Sequence, residues 1–260
     1  MDTLRFVELE EARAARGVRM LAVAALPSPW TESAKAIFHL KQIPVQCVRF
    51  RRSDAAQVAW AGVRNAPAVL FDDEPPRAGW AEILALAERL GGALPLVPAP
   101  PADRVRLFGL AHELAGENGL GWSERLIMIH GSLTSGGAQS FPLSVAQYLA
   151  TQYGYAPERF APARARAVEV LALFDRLLTD SHAAGHAYLL GDRLTALDLY
   201  LATFLTPIVG VSAEECPAMA PPVRPAYQYL GEQIGADLPR ALVEHRRRIY
   251  REHLPWPIVL

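Results

Sequence analysis

Residues 63–90 read VRNAPAVLFDDEPPRAGWAEILALAERL, and a proline stands at the head of what is otherwise a strand. Pro67 removes a backbone donor, which usually demotes a strand to a sheet edge. The apolar run AVLF ends in Asp72, Asp73 and Glu74, then Pro75 and Pro76, and a helix pattern begins at once with Gly79 and Trp80. In that pattern Trp80, Ile83, Leu84 and Ala87 fall at i, i+3, i+4 and i+7, one apolar stripe turned toward a sheet. Gly79 reads as the residue that caps this helix.

Upstream, RMLAVAAL and VQCVRF read as buried strands, TESAKAIFHLKQ and SDAAQVAWAGV as helices, and AVLFDD as a third strand. The order is β-α-β-α-β followed by a helix, which places a small α/β domain over residues 20–90. Glycine and proline in GGALPLVPAPPA, residues 91–102, forbid a regular element and mark a linker. From residue 103 to 260 strand signals nearly vanish, and four segments with helical periodicity predict an all-helical bundle of normal domain size. Residues 1–19 mix acids and arginines without the apolar core of a signal peptide and read as an extension. The longest loop expected is HGSLTSGGAQSFPLS, residues 130–144. In YLLGDRLTALDLYLATFL, Thr195 and Asp198 have capping-box spacing and Leu194 and Leu199 occupy the staple positions, so a helix start is strongly specified there.

The chain has 260 residues, 51% of them apolar and 20% charged, enough to bury one or two cores. A net charge of −1 provides no global field for nucleic acid or an anionic membrane, so small or neutral partners are expected. Two distant cysteines, Cys47 and Cys216, fit neither a disulfide framework nor a metal knuckle, and a reducing cytoplasm is the expected compartment. No apolar run approaches the ~20 residues of a membrane span. There is no phosphate loop, dinucleotide fingerprint or nucleophile elbow. His182 and His186 are separated by Gly185 with no glutamate base beside them, so no metal site is expected, and Arg246–Arg248 read as a solvated helix face.

A small α/β half, APAVL before the third strand, a proline-rich linker and LLGDRLTALDLYLA in a helical half together resemble a cytosolic glutathione S-transferase. The resemblance covers roughly residues 20 to 250. It implies a thioredoxin-like α/β N-terminal domain joined to an all-α C-terminal bundle. It further implies a cis Ala66–Pro67 bond, with the Ala66 backbone pairing with the cysteinyl part of glutathione. Ser28 falls on the position that resembles the catalytic serine of serine-type members. With Ser28 and Thr31 where glutaredoxin-like members have cysteines, disulfide exchange has no nucleophile.

A serine hydroxyl can hydrogen-bond a thiolate. Lowering a thiol pKa of ~8.5 by ~2 units needs ~2.7 kcal/mol. One charge-assisted bond of ~1.5–3 kcal/mol plus a helix N-terminus of ~0.3–1 kcal/mol reaches that. Ser28 followed by Pro29 is equally what a purely structural N-cap looks like. The pattern departs from the family at Gly79 and Trp80, which replace the acid and serine that grip the γ-glutamyl end. The backbone N–H groups of residues 80 and 81 can still receive a carboxylate, and Asp72, Asp73 and Glu74 are candidate partners for the amino group. Trp80 has a second reading as a core anchor. Glutathione is therefore expected as a weakly bound co-substrate that conjugates or reduces a small hydrophobic electrophile. A homodimer using Leu107, Phe108 and Leu110 is expected as well. The alternative is a non-catalytic relative binding another ligand or a protein. Trp122, Arg125, Met128 and His130 either border an acceptor pocket or belong to a helix core, the second reading being favoured.

Overall fold

The computed structural model describes residues 3–92 and 94–260; Met1 and Asp2 of the extension and Ala93 of the linker lie outside the described residues. Four strands, β1 (Leu4–Phe6), β2 (Val18–Ala22), β3 (Val45–Arg49) and β4 (Ala68–Phe71), form one sheet in the order β1-β3-β2-β4. β3 runs parallel to both β1 and β2, and β4 pairs antiparallel with β2. Central β2 is buried throughout, as befits a strand covered on both faces and apolar at every position but Arg19. Its one charged residue, Arg19, donates to the carbonyls of Ala15 at 2.8 Å and Asp72 at 2.9 Å, which satisfies two of its guanidinium nitrogens while Nε has no partner among the described residues.

Strand alternation sorts the core into two layers. Leu21, Val48 and Ala68 face Ala12 of α1 (Leu9–Ala14) and Ala61 of α3 (Ala55–Ala61). Met20, Cys47 and Val69 face the other way, into a larger core shared with Ile37 of α2 (Pro29–Leu40) and Ile83 and Leu84 of α4 (Trp80–Leu90). The first nineteen residues supply β1 and α1 and the start of β2, so the extension adds an edge strand to the sheet.

Eight helices follow residue 100: α5 (Pro101–Ala115), α6 (Leu120–Thr134), α7 (Leu143–Gln152), α8 (Phe160–Ala183), α9 (Ala196–Phe204), α10 (Thr206–Val209), α11 (Arg224–Ile234) and α12 (Arg240–His253). The helical half shares the larger core with α2 and α4, which fixes the two halves against each other. α9 is buried at every residue. Its start is held as the capping pattern predicts: the Asp198 carboxylate accepts from the N–H and hydroxyl of Thr195, both at 3.0 Å, and from the Leu189 N–H at 3.1 Å. Leu194 and Leu199 are both buried.

Three expectations change. The loop predicted over 130–144 is shorter, because α6 runs on to Thr134 and α7 begins at Leu143. Arg246 is not solvated but 1% exposed: it donates to the Thr206 hydroxyl at 3.1 Å and stacks over the Tyr250 ring at 4.7 Å. Leu107 is fully buried inside the chain and so supplies none of the free apolar surface expected at a dimer face, while Phe108, which packs partly on Trp80, and Leu110 are half-buried.

Candidate functional site

A cleft of about 770 Å³ lies between the α/β half and the helical half, and Ser28, Ala66, Pro67, Gly79 and Trp80 all line it. These residues are up to 52 positions apart in sequence, and the fold brings them together because β2, β4 and the starts of α2 and α4 meet at one end of the sheet.

Ser28 is the N-cap of α2, with Pro29 at the first helical position. It is 3% exposed, and its hydroxyl makes no capping bond to the helix. Its backbone alone enters the turn: Ser28 N–H donates to Leu26 C=O, and Glu32 N–H donates to Ser28 C=O, both at 2.8 Å. The capping geometry is therefore present while the side chain is left for the cleft. The helical half holds this turn from behind. The Tyr227 hydroxyl of α11 donates to Pro27 C=O at 2.7 Å, and Ala220 N–H donates to Ala25 C=O at 2.9 Å. Burial raises Tyr227 well above the usual phenol range, so it remains a donor. Two residues on, the Trp30 indole N–H donates to Ala115 C=O at 2.9 Å, tying α2 to the end of α5.

The Ala66–Pro67 peptide is cis. Ala66 is half-buried and Pro67 buried at the head of β4.

At the start of α4, Gly79 N–H donates to the Glu82 carboxylate at 3.1 Å, the reach-back half of a capping box whose other half a glycine cannot supply. Among the described residues the N–H groups of Trp80 and Ala81 have no acceptor, as expected of a first helical turn. The Trp80 side chain packs against residues of the helical half. Its ring meets Tyr200 edge-on at 5.5 Å and lies 6.1 Å from Phe108, and its carbonyl accepts from the Tyr200 hydroxyl at 3.2 Å. Ile83, Leu84 and Ala87 of the predicted stripe are buried in the core, and Trp80, half-buried, packs against it.

The acids after β4 are engaged elsewhere. Asp72 accepts from Gly17 N–H at 2.8 Å, Asp73 pairs with Arg16 at 2.6 Å, and Glu74 pairs with Arg89 and Arg77. Hydrogen bonds from Arg89 and Arg77 hold Glu74 below the ordinary carboxylate range. None of the three lines the cleft; among the described residues the one carboxylate that does is Glu117.

The opposite wall belongs to the helical half and is aromatic: Trp122, Phe141, Tyr148 and Tyr153 line it. Trp122 and Tyr153 pack with ring centroids 4.6 Å apart. Tyr148 reaches across, its hydroxyl donating to Arg64 C=O at 3.1 Å and its ring lying 4.4 Å beneath Arg52. Of the four residues read from GWSERLIMIH, Trp122 and Arg125 face the cleft. Met128 is core, and His130 stacks on Phe160 at 4.0 Å. Neither cysteine reaches the cleft: both are buried, and burial pushes the Cys47 thiol up to about 12.

Residues 147–230 match the family model of the glutathione S-transferase C-terminal domain. The chain has the glutathione transferase fold. A glutathione S-transferase of Xanthobacter autotrophicus Py2 shares the fold at TM-score 0.58 and 16% identity, over 92% of this chain and 96% of that one. A glutathione S-transferase domain-containing protein of Marinobacter aquaeolei VT8 aligns at TM-score 0.63 and 15% identity, over 90% and 98% of the respective chains. A glutathione S-transferase of Methylobacterium radiotolerans, solved with glutathione sulfonate, aligns at TM-score 0.56 and 16% identity, over 94% and 97%. No curated protein matches the sequence. The glutathione transferase fold thus comprises the thioredoxin-like sheet with its helices and the all-helical half. Among the described residues no helix is long and apolar enough to cross a membrane.

Residues that shape the cleft from the helical half, and Tyr227 behind it, carry no signal that points to it in the sequence. Tyr227 carries no local signal, since its partner Pro27 is 200 positions away. Tyr148 and Trp30 sit in ordinary amphipathic helices, and only the packing of one half on the other brings them to the cleft.

Proposed function

We propose that the cleft binds glutathione, with its thiol at Ser28, and conjugates it to a small electrophile with an apolar body. The observation that carries this reading is the Ser28 hydroxyl: it occupies an N-cap position, is almost fully buried, lines the cleft, and makes no bond to its own helix. A hydroxyl kept out of its ordinary capping role is available to donate to a thiolate, and the α2 N-terminus adds a favourable partial charge. The Ala66 backbone would pair with the cysteinyl part of the tripeptide, and the N–H groups of Trp80 and Ala81 would receive its γ-glutamyl carboxylate. In conjugation the thiolate sulfur bonds the electrophilic carbon, the displaced pair leaves with the leaving group, and the thiol proton passes to solvent. The aromatic helical wall offers the acceptor an apolar surface.

Affinity should be low. Gly79 and Trp80 supply no acid or hydroxyl, each such contact being worth ~1.5–3 kcal/mol, and the acids of 72–74 are already paired. A second reading, a non-catalytic relative, is favoured by one observation: Glu82 already holds the Gly79 N–H, so α4 offers an anion less than an open helix start would. A two-fold dimer belongs to the transferase reading, resting on family likeness now that Leu107 is seen to be internal.

The test is a thermal shift titrated with glutathione. At 100 times its dissociation constant a ligand stabilises the native state by ~2.7 kcal/mol, several degrees for a chain of this size. A saturable shift with glutathione that Cys-Gly does not reproduce is the expected result. No shift up to tens of millimolar would leave the non-catalytic reading in its place.

A further inference from the structure

Arg125 on α6 lines the cleft, is 7% exposed, and has no hydrogen-bond or ion-pair partner among the described residues. A guanidinium remains charged in proteins, and a buried unpaired charge is costly. Two aromatic rings lie against it: Cζ is 5.8 Å from the Trp30 ring centroid and 5.5 Å from that of Phe141. Rings offset part of the cost through cation–π attraction, but they accept none of the N–H groups. The carboxyl next in sequence does not neutralise it. Glu124 is 1% exposed and forms no ion pair with Arg125 among the described residues; burial raises its carboxyl well above the ordinary range and outweighs the opposing pull of the Arg125 charge, favouring the uncharged acid. Elsewhere on the cleft Arg52 and Arg64 are exposed, and Glu117 is the only acid among the described residues that line it.

We infer that Arg125 is the anion-recognition residue of the cleft and that the acceptor is a flat aromatic or conjugated molecule bearing a carboxylate. This deepens the transferase reading and rests on it for the word acceptor. The residues proposed for glutathione, Ser28, Ala66 and the α4 start, all belong to the α/β half, whereas Arg125 stands on the helical half beside Phe141 and Trp122. A planar guanidinium with five donors matches a carboxylate two-to-two, and the neighbouring rings suit a flat body attached to it. The exposed arginines would draw such an anion in.

The matched probes are naphthalene-2-carboxylate and naphthalene-2-carboxamide, compared by isothermal titration calorimetry on the full chain. The parent should bind the carboxylate about tenfold or more tightly than the carboxamide. Arg125→Gln should abolish that preference, and Arg125→Lys, which keeps the charge and loses the fork, should retain part of it. Equal affinities in the parent, or a preference that survives in a folded Arg125→Gln, would overturn the inference. A co-crystal of the parent with 6-bromonaphthalene-2-carboxylate needs no variant: the carboxylate belongs within hydrogen-bond distance of Arg125, and any other position refutes the assignment. Neither probe is an electrophile or requires glutathione. A lost carboxylate preference beside an intact glutathione shift therefore sinks only this inference, and the reverse sinks only the transferase reading. If Arg125→Gln weakens glutathione while the parent fails to distinguish the naphthalenes, the guanidinium serves glutathione's own carboxylate and the inference falls.

Discussion

Two helices begin at the same cleft, and their first residues are used in opposite ways. α2 opens with Ser28 and Pro29, a sequence made for capping, yet the serine hydroxyl does not cap. α4 opens with Gly79 and Trp80, where capping chemistry is poor, yet its N-terminus is partly satisfied by Glu82 and locked by a tryptophan wedged against Phe108 and Tyr200. The start of α2 is thus open to a ligand and supported from behind by Tyr227, while the start of α4 has become part of the joint between the two halves. A residue type that suggests a role is a weaker guide than whether its polar atoms are already taken.

That contrast breaks most visibly at Trp80. Trp80→Ala removes an aromatic wedge from the seam and should cost about 3 kcal/mol, lowering the melting temperature by about 6–12 °C. A scan showing a change under about 2 °C would mean that the ring is a cleft residue and not a structural one. This also bears on restoring the family-like residues: Gly79→Glu with Trp80→Ser would bring back the side chains but remove the wedge. A Cβ at Gly79 would also lie 3.0 Å from Glu82 Oε2, displacing the present cap.

A smaller effect sharpens the same comparison. Glu82→Ala should lower stability by about 1 kcal/mol, since it removes half a capping box. It also frees the Gly79 N–H, so the glutathione-induced thermal shift should rise even as the baseline falls. A baseline loss with an unchanged glutathione shift would show that the α4 start takes no part in binding.

The fold was legible because its signals are local. β-α-β-α-β periodicity, a proline before β4 and the Thr195/Asp198 box each lie within a few residues and each has its counterpart in the structure, whereas α5 begins at Pro101, inside the segment 91–102 read as a linker. The cleft was half legible for the same reason. Ser28 and Pro67 sit beside recognisable strand and helix ends, but the helical wall depends on which face of α6 and α7 meets the other half. Nothing in GWSERLIMIH says that Arg125 faces an opening while Met128, three residues on, faces the core. The arginine run of α12 was misread because a buried Arg246 and an exposed Arg247 look alike until Thr206 and Tyr250 are placed beside one of them. Asp72, Asp73 and Glu74 looked available because their partners, Gly17, Arg16 and Arg89, lie on other elements.

The smallest expected change in stability carries the central claim. A capping serine replaced by alanine typically costs about 1 kcal/mol. Ser28→Ala should cost less than about 0.5 kcal/mol, because its hydroxyl is not bonded to the helix. The decisive measurement is the pH titration of the thiolate ultraviolet absorbance of protein-bound glutathione in the parent and in Ser28→Ala. In the parent the bound thiol should titrate well below its free value of ~8.5, by up to ~2 units, and in Ser28→Ala it should move back toward that value with the fold intact. Bound glutathione that titrates at its free value in the parent, or identically in parent and variant, would contradict the claim that Ser28 was kept from its helix to hold a thiolate.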